Sequence, residues 1–544
     1  MSNKKIWYES ISDLVIEEGK VKNFNYPISP GETIEFRNSL AIRLVNLFKE
    51  LKKNKNTYID ECTASLFTLT YEIVNVYYTL LLKKKLEQDN YKIIPDKKSR
   101  LLKNILADKK LEYPRNLQMI IKGRGRTKKR YFLIRFLKHM LTQKYIKKSY
   151  IRPVNLKTDI VCIGDNPIIE NHAKFEKKKV YYVRVNQWFQ KLGQPNGTNS
   201  DLNLVSENIL KIIFDEFDKN EINLSENLKL YFKEIVNLLL LKLSIYKKSI
   251  LDTEIGLPKN LWTPSGGGIF SNIFRQVCKS NGSKVVGHAH GSGTGYFSDN
   301  GRILSVLEYQ SCTDYYVFTK KNIKEYKKHP REDLIIDGKL PNLLSVEGTT
   351  YWSSDKLTSL QKIFNIKNKE KYILYIPSLF IYDHFFDGKL VDAHHTYDWL
   401  LKLSNFFNKN NLNFKVKLHP DKKAPEKYIK YYKDNISKEN LAKSIENSYL
   451  IITDQPSSSS FAASVVSDKP IIFINHKVHD FTDHGWLLLK KRCTILETKF
   501  TKKGINLNWE LLMQSIKDPK ESFSQDFKYT YFENSPKQND KDYL

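Results

Sequence analysis

The chain has 544 residues, 41% of them hydrophobic, enough to bury cores in roughly two to four domains. Five cysteines, Cys62, Cys162, Cys278, Cys312 and Cys493, are scattered and never form C-x-x-C, which argues against a disulfide framework or a zinc site and for reduced thiols of a cytosolic protein. The 89 Lys and Arg against 60 Asp and Glu leave a net charge of +29, which calls for an acidic partner: nucleic acid, an anionic membrane or a phosphorylated substrate.

In chain order, residues 1–152 read as a helical region. Leu40–Lys53 and Ser65–Gln88 carry apolar residues three and four apart and end in or near lysines, which suit a helix C-terminus. From Lys122 to Arg152 basic residues accumulate with no acidic one, while Phe132, Phe136 and Met140 recur at helical spacing. The pattern predicts a basic amphipathic helix, with either a solvated outer face or a surface for anionic lipid or another polyanion. The richest apolar stretch, Ile235–Tyr246, is short and interrupted by Asn237 and Lys242, so neither secretion nor a membrane span is expected.

Past residue 152 the rhythm changes to short β-rich runs: Asp159–Pro167, Lys179–Asn186, Lys259–Gly268, Lys284–Gly291 and Asp314–Lys320, with helical stretches between several of them. It returns at Lys371–Ser378, Asn413–Pro420, Ser448–Asp454, Lys469–Asn475 and Arg492–Thr498. Strands alternating with helices predict parallel, doubly wound sheets. The expected fold is α/β: two Rossmann-like domains at 153–345 and 346–505 facing a cleft, then a C-terminal helix and tail at 506–544. The linker falls around Lys339–Asp355. Ligands of open α/β sheets bind beyond the carboxyl ends of the strands, so the site is sought there.

Polar residues do gather at those ends. His419 and Pro420 close an apolar alternation that also carries Lys417, and a histidine so placed can donate to a phosphate or move a proton. The next strand runs into Asp454 and then Ser457, Ser458, Ser459 and Ser460, which open a helix whose free N–H groups and dipole favour an anion. Simple N-capping explains one serine of the four. Earlier, Gly266 and Gly267 between a strand and a helix allow close approach of backbone to a ligand, without the spacing of a dinucleotide fingerprint or the lysine of a P-loop. Ser378, Asp383 and His384 follow another strand; His394 and His395 start the next helix and lack the partners of a metal site.

The order strand, His-Pro, helix, strand, Asp454, serine-rich helix start, then Lys469-Pro470 and a strand resembles the C-terminal half of GT-B glycosyltransferases of bacterial surface polysaccharides. Nearest are the CDP-glycerol glycerophosphotransferases of teichoic acid synthesis and the capsular Kdo-transferases with QHG-like and HP motifs. His288, Ala289, His290 and Gly291 occupy the place of the QHG-type signature, with Ala289 where a glutamine would stand. The resemblance covers about 159–498 and implies a GT-B-like fold and a cytoplasmic, peripheral transferase with a CMP- or CDP-activated donor and a glycan or glycolipid acceptor. It implies that His419 and Ser457–Ser460 bind the donor phosphate with Lys417 as helper, Gly291 and His290 facing them. Neither a metal nor a cofactor is expected. For the acceptor's proton, His288, His290, Asp165 and Asp383 stay open. A nucleotide-sugar epimerase on the same fold and a basic nucleic-acid-binding protein are the alternatives; no nucleic-acid signature supplements the charge.

Overall fold

The structure, a computed structural model, describes residues 5–113, 146–148 and 159–533. It is interrupted at 186–199, 290–294, 299–307, 346–370, 378–392 and 419–428 and by shorter breaks, among them 165–166 and 265–267. The basic stretch at 122–152 lies outside the described residues except for one strand.

The N-terminal part is more mixed than its helical periodicity predicts. A strand β1 (Lys5–Tyr8) and a hairpin of β2 (Ile16–Glu17) and β3 (Lys20–Val21) precede two long helices, α1 (Ile34–Lys53) and α2 (Ile59–Gln88). Then come β4 (Tyr91–Ile94), which pairs in parallel with β1, and α3 (Arg100–Leu106). Helix α1 buries Phe36, Leu40, Leu44 and Phe48 along one stripe and leaves Lys52 and Lys53 at its carboxyl end, where the helix dipole favours cations.

The first sheet contains β5 (Ile146–Lys148), β6 (Ile160–Cys162), β7 (Val180–Tyr182), β8 (Asn260–Thr263), β9 (Lys284–His288), β10 (Asp314–Val317) and β11 (Asn342–Ser345). All its pairings are parallel, in the order β11-β10-β9-β8-β6-β7-β5. Its crossovers use α4 (Pro167–Phe175), α5 (Ser200–Lys219), α6 (Glu226–Leu251), α7 (Ile269–Ser280) and α8 (Lys320–Lys327). Helices α1 and α2 share one core with α5, α6, α7 and a face of this sheet, joining Phe36, Tyr77, Phe217, Leu239, Phe274 and Val285. The expected loop-rich linker opens on an edge strand, β11, which pairs with β10.

The second sheet has the strands the alternation predicts: β12 (Tyr372–Ile376), β13 (Phe414–Val416), β14 (Ser448–Thr453), β15 (Ile471–Asn475) and β16 (Thr494–Glu497). They are parallel in the order β13-β12-β14-β15-β16. Near-continuous Ile, Leu, Val and Tyr in these strands reflects burial on both faces. One face packs on α9 (Ala393–Lys409), the other on α10 (Leu441–Glu446), α11 (Ser459–Val466) and α12 (Asp483–Arg492). A hairpin of β17 (Lys499–Thr501) and β18 (Gly504–Asn506) follows, then α13 (Trp509–Lys517) and α14 (Asp526–Tyr531). The fold is therefore α/β with two doubly wound parallel sheets. In the second sheet the order reverses between β12 and β14, and in open α/β sheets ligands bind beyond the strands' carboxyl ends at such a switch point.

Candidate functional site

The switch point of the second sheet is occupied by a buried polar cluster. Asp454, the first residue after β14, is fully buried. Its Oδ2 accepts hydrogen bonds from the Tyr375 hydroxyl of β12 at 2.6 Å and from Trp399 Nε1 of α9 at 3.2 Å. His476 Nε2, just past β15, lies 3.4 Å from the same oxygen, and its Nδ1 lies 2.9 Å from the Thr498 hydroxyl. A carboxylate removed from water needs several donors to offset its desolvation, and here they come from three neighbouring elements. Asp454 therefore fixes the ends of β12, β14 and β15 relative to one another.

The serine run that follows divides its labour. Ser458 is the N-cap of α11, its Oγ accepting from Phe461 N at 3.1 Å and donating to the Gln455 carbonyl at 3.0 Å. Ser457 Oγ accepts from Gln455 Nε2 at 2.6 Å. Ser460 Oγ lies 2.9 Å from Ser458 Oγ. Ser459 is the exposed one, at the first turn of the helix with the dipole's positive end. At the other end of α11, the buried Arg492 guanidinium donates to the carbonyls of Val465 at 3.1 Å, Ser467 at 2.7 Å and Lys469 at 3.1 Å. These are orphan carbonyls of the helix terminus and its exit loop.

From the first sheet, the stretch after β9 reaches this point. The Tyr296 hydroxyl donates to the carbonyl of Pro456 at 2.6 Å, directly before the serines. Its backbone accepts from Thr482 N at 3.0 Å, Ser298 N donates to Asp480 O at 2.8 Å, and Phe297 bridges to Phe481. Gly485 sits so close that a Cβ there would come within 2.8 Å of both Tyr296 Cβ and its carbonyl oxygen, so the second domain gives up a side chain to admit Tyr296. The Tyr296 ring packs between Phe527 and Tyr531 of α14 at centroid distances of 5.1 and 5.0 Å.

His288 stands apart from this junction. It is fully buried at the end of β9, with Nδ1 3.0 Å from the Thr263 carbonyl and Nε2 2.9 Å from His172 Nδ1. His172 Nε2 is in turn 3.0 Å from Glu176 Oε1, which also accepts from the Tyr316 hydroxyl at 3.0 Å. Burial disfavours the charged imidazoles, lowering His172 to about 4 and His288 to about 3. His288 is thus held as a neutral interior group, and its two ring nitrogens face interior partners. Lys417 donates through Nζ to the Glu439 carbonyl, and burial lowers its pKa.

Of the remaining candidates, Asp165, Gly266, Gly267, His290, Gly291, Ser378, Asp383 and His419 lie outside the described residues. His394 is used structurally, with Nε2 2.9 Å from the Tyr8 carbonyl and its ring stacked on Trp7. Sequence reasoning passed over His476, Trp399, Tyr375 and Tyr296. A signal for the first was present: β15 ends in Asn475-His476 as β13 leads to His419, and the same strand-end logic applies to both. Among the described residues, no group of three or more His, Cys, Asp or Glu side chains is placed to hold a metal ion.

No family model matches the chain, and no curated protein matches its sequence. Among solved structures the chain is similar to a glycosyltransferase from Rickettsia africae ESF-5, at 11% identity and a TM-score of 0.27 over 66% of this chain and 78% of that one. A likeness so distant carries no argument about activity.

Proposed function

We propose that the chain is a glycosyltransferase of the GT-B type that binds a CMP- or CDP-activated donor on the second domain and builds a bacterial surface glycan. The observation that carries the reading is the Tyr296–Pro456 hydrogen bond. Tyr296 lies six residues past His290, and Pro456 precedes the serine-rich start of α11 beside the switch point, so two separately identified stretches meet at one place. In this reading the first-turn N–H groups of α11, with Ser459, take the donor phosphate, and Asp454 and His476 hold the loop that presents them. His419, Ser378, Gly266, Gly267 and Gly291 complete the donor side, and His290, Asp165 or Asp383 takes the acceptor's proton. The leaving phosphate is neutralised by the helix dipole and basic groups. No helix among the described residues is long and apolar enough to cross a membrane; the 122–152 segment would bring the enzyme to an anionic surface.

The test is a thermal-shift comparison of CMP, CDP and UDP with the full chain. A ligand at a hundred times its Kd stabilises by about 2.7 kcal/mol, so the donor's nucleotide should raise the melting temperature clearly. No shift with any of the three overturns the reading. Nucleotide release from the matching sugar donor should require an added acceptor; release or isomerisation without one indicates an epimerase. A folded His419→Ala protein should lose turnover, and full activity in it removes that residue from the site.

A further inference from the structure

A second concave site lies on the face of the second sheet opposite α11. It is an open cleft of about 780 Å³ between the N-terminal strands, α9 and the β17–β18 hairpin. Among the described residues five lysines and two aspartates line it, a surplus of three positive charges. Two lysines are matched: Lys402 contacts Asp398, and Lys502 Nζ lies 3.0 Å from Asp89 Oδ2. Lys5, Lys20 and Lys503 are exposed and make no salt bridge with a described residue; Lys20 stands opposite Glu17 in the β2–β3 hairpin, and Lys5 lies 5.9 Å over the Tyr91 ring.

Like charges within a Debye length of roughly 8 Å repel, and lysines on an ordinary surface turn apart into water. Here they are brought around one hollow from separate segments: β1, β3, α9 and the hairpin turn. The hairpin approaches through Gly504, whose φ of +107° and lack of a side chain let its backbone pass where a Cβ would lie 2.4 Å from Asp398 Oδ2 and 2.7 Å from Lys402 Nζ. Asp398 is itself buried and accepts from Val21 N at 3.2 Å, so the floor is fixed by both the first strands and α9. Ammonium groups act as point charges that suit a phosphate, and the charged side chains lining the cleft among the described residues are lysines and aspartates. The volume falls in the range of small-molecule sites, about 300–1,000 Å³.

We infer that this cleft binds a phosphate ester, with Lys5, Lys20 and Lys503 neutralising the phosphate and Tyr91 flanking its organic part. The inference is independent of the transferase reading, and its test reads binding alone. Calorimetric titration of the full chain with inorganic pyrophosphate is compared among wild type, a Lys20→Gln/Lys503→Gln protein and a control Lys53→Gln/Lys109→Gln protein that removes equal charge elsewhere. Sedimentation with phosphatidylcholine vesicles, with and without phosphatidylglycerol, forms the second arm. The cleft pair should weaken binding about tenfold or more, the control pair by about twofold at most. A cleft-dependent loss seen only with phosphatidylglycerol vesicles identifies a lipid headgroup as the phosphate; one seen with pyrophosphate identifies a soluble ester. Binding of neither probe by wild type, or equal losses in the two pairs, overturns the inference.

Discussion

Asp454 ties three elements together through one buried oxygen, Oδ2. That oxygen takes the Tyr375 and Trp399 donors inside the protein. Asp454→Ala should therefore leave buried donors unpaired and cost about 3 kcal/mol in denaturant midpoint analysis. Asp454→Asn, which keeps an acceptor oxygen, should cost less; equal losses would mean that the charge itself is required. The buried histidines make a second claim at this scale. An unfolded histidine takes a proton near 6.5, whereas burial lowers folded His172 to about 4, so the folded state binds fewer protons in between. Stability contributed there is complete above pH 6.5 and is lost as the pH falls toward 4. A His172→Phe protein, which retains an aromatic ring against Trp262, should show a shallower fall in melting temperature between pH 6.5 and 5 than wild type. An unchanged slope would remove His172 from the account.

At the level of elements, the four consecutive serines at the start of α11 differ in burial and hydrogen bonding. Ser458→Ala removes the N-cap and should cost about 1 kcal/mol. Ser459→Ala, at the exposed position, should change stability by less than about 0.5 kcal/mol yet weaken nucleotide-induced stabilisation if the proposed function holds; an undiminished shift argues against its hydroxyl as a ligand. Arg492→Met should cost roughly 3 kcal/mol by leaving the carbonyls beyond α11 without donors. Much at this scale was legible in the sequence, because a strand buried on both faces must be a run of apolar residues and β12–β16 are such runs. The short strands β1, β2 and β3 were not legible. They have two to four residues each with no alternation long enough to register, and β1 pairs with the remote β4.

For the whole molecule, the two domains meet through particular groups. Tyr296→Phe should lose one hydrogen bond, about 1 kcal/mol. Tyr296→Ala should lose about 3–5 kcal/mol and raise amide exchange at Ser298 and Thr482, whose N–H groups donate across the junction. Protection unchanged at those amides would show that the junction is held elsewhere, for example by the His484–Glu325 pair at 2.8 Å. The facing of two α/β domains follows from the order of elements. Which loop crosses to which helix does not, since Tyr296 and Pro456 are 160 residues apart and their contact depends on the assembled sheets.

The last helix also reaches back. Thr319, which caps α8 in the first domain, donates its hydroxyl to the carbonyl of Thr530, 211 residues later, and α14 packs against α8. On a ribosome adding about 5–20 residues per second, the first domain's edge waits roughly 10–40 s for the segment that covers it. During that interval Tyr296 and Phe318 stand without Tyr531 and Phe532, and a nascent chain stalled before residue 526 should be captured by a chaperone that reads exposed aromatic surface.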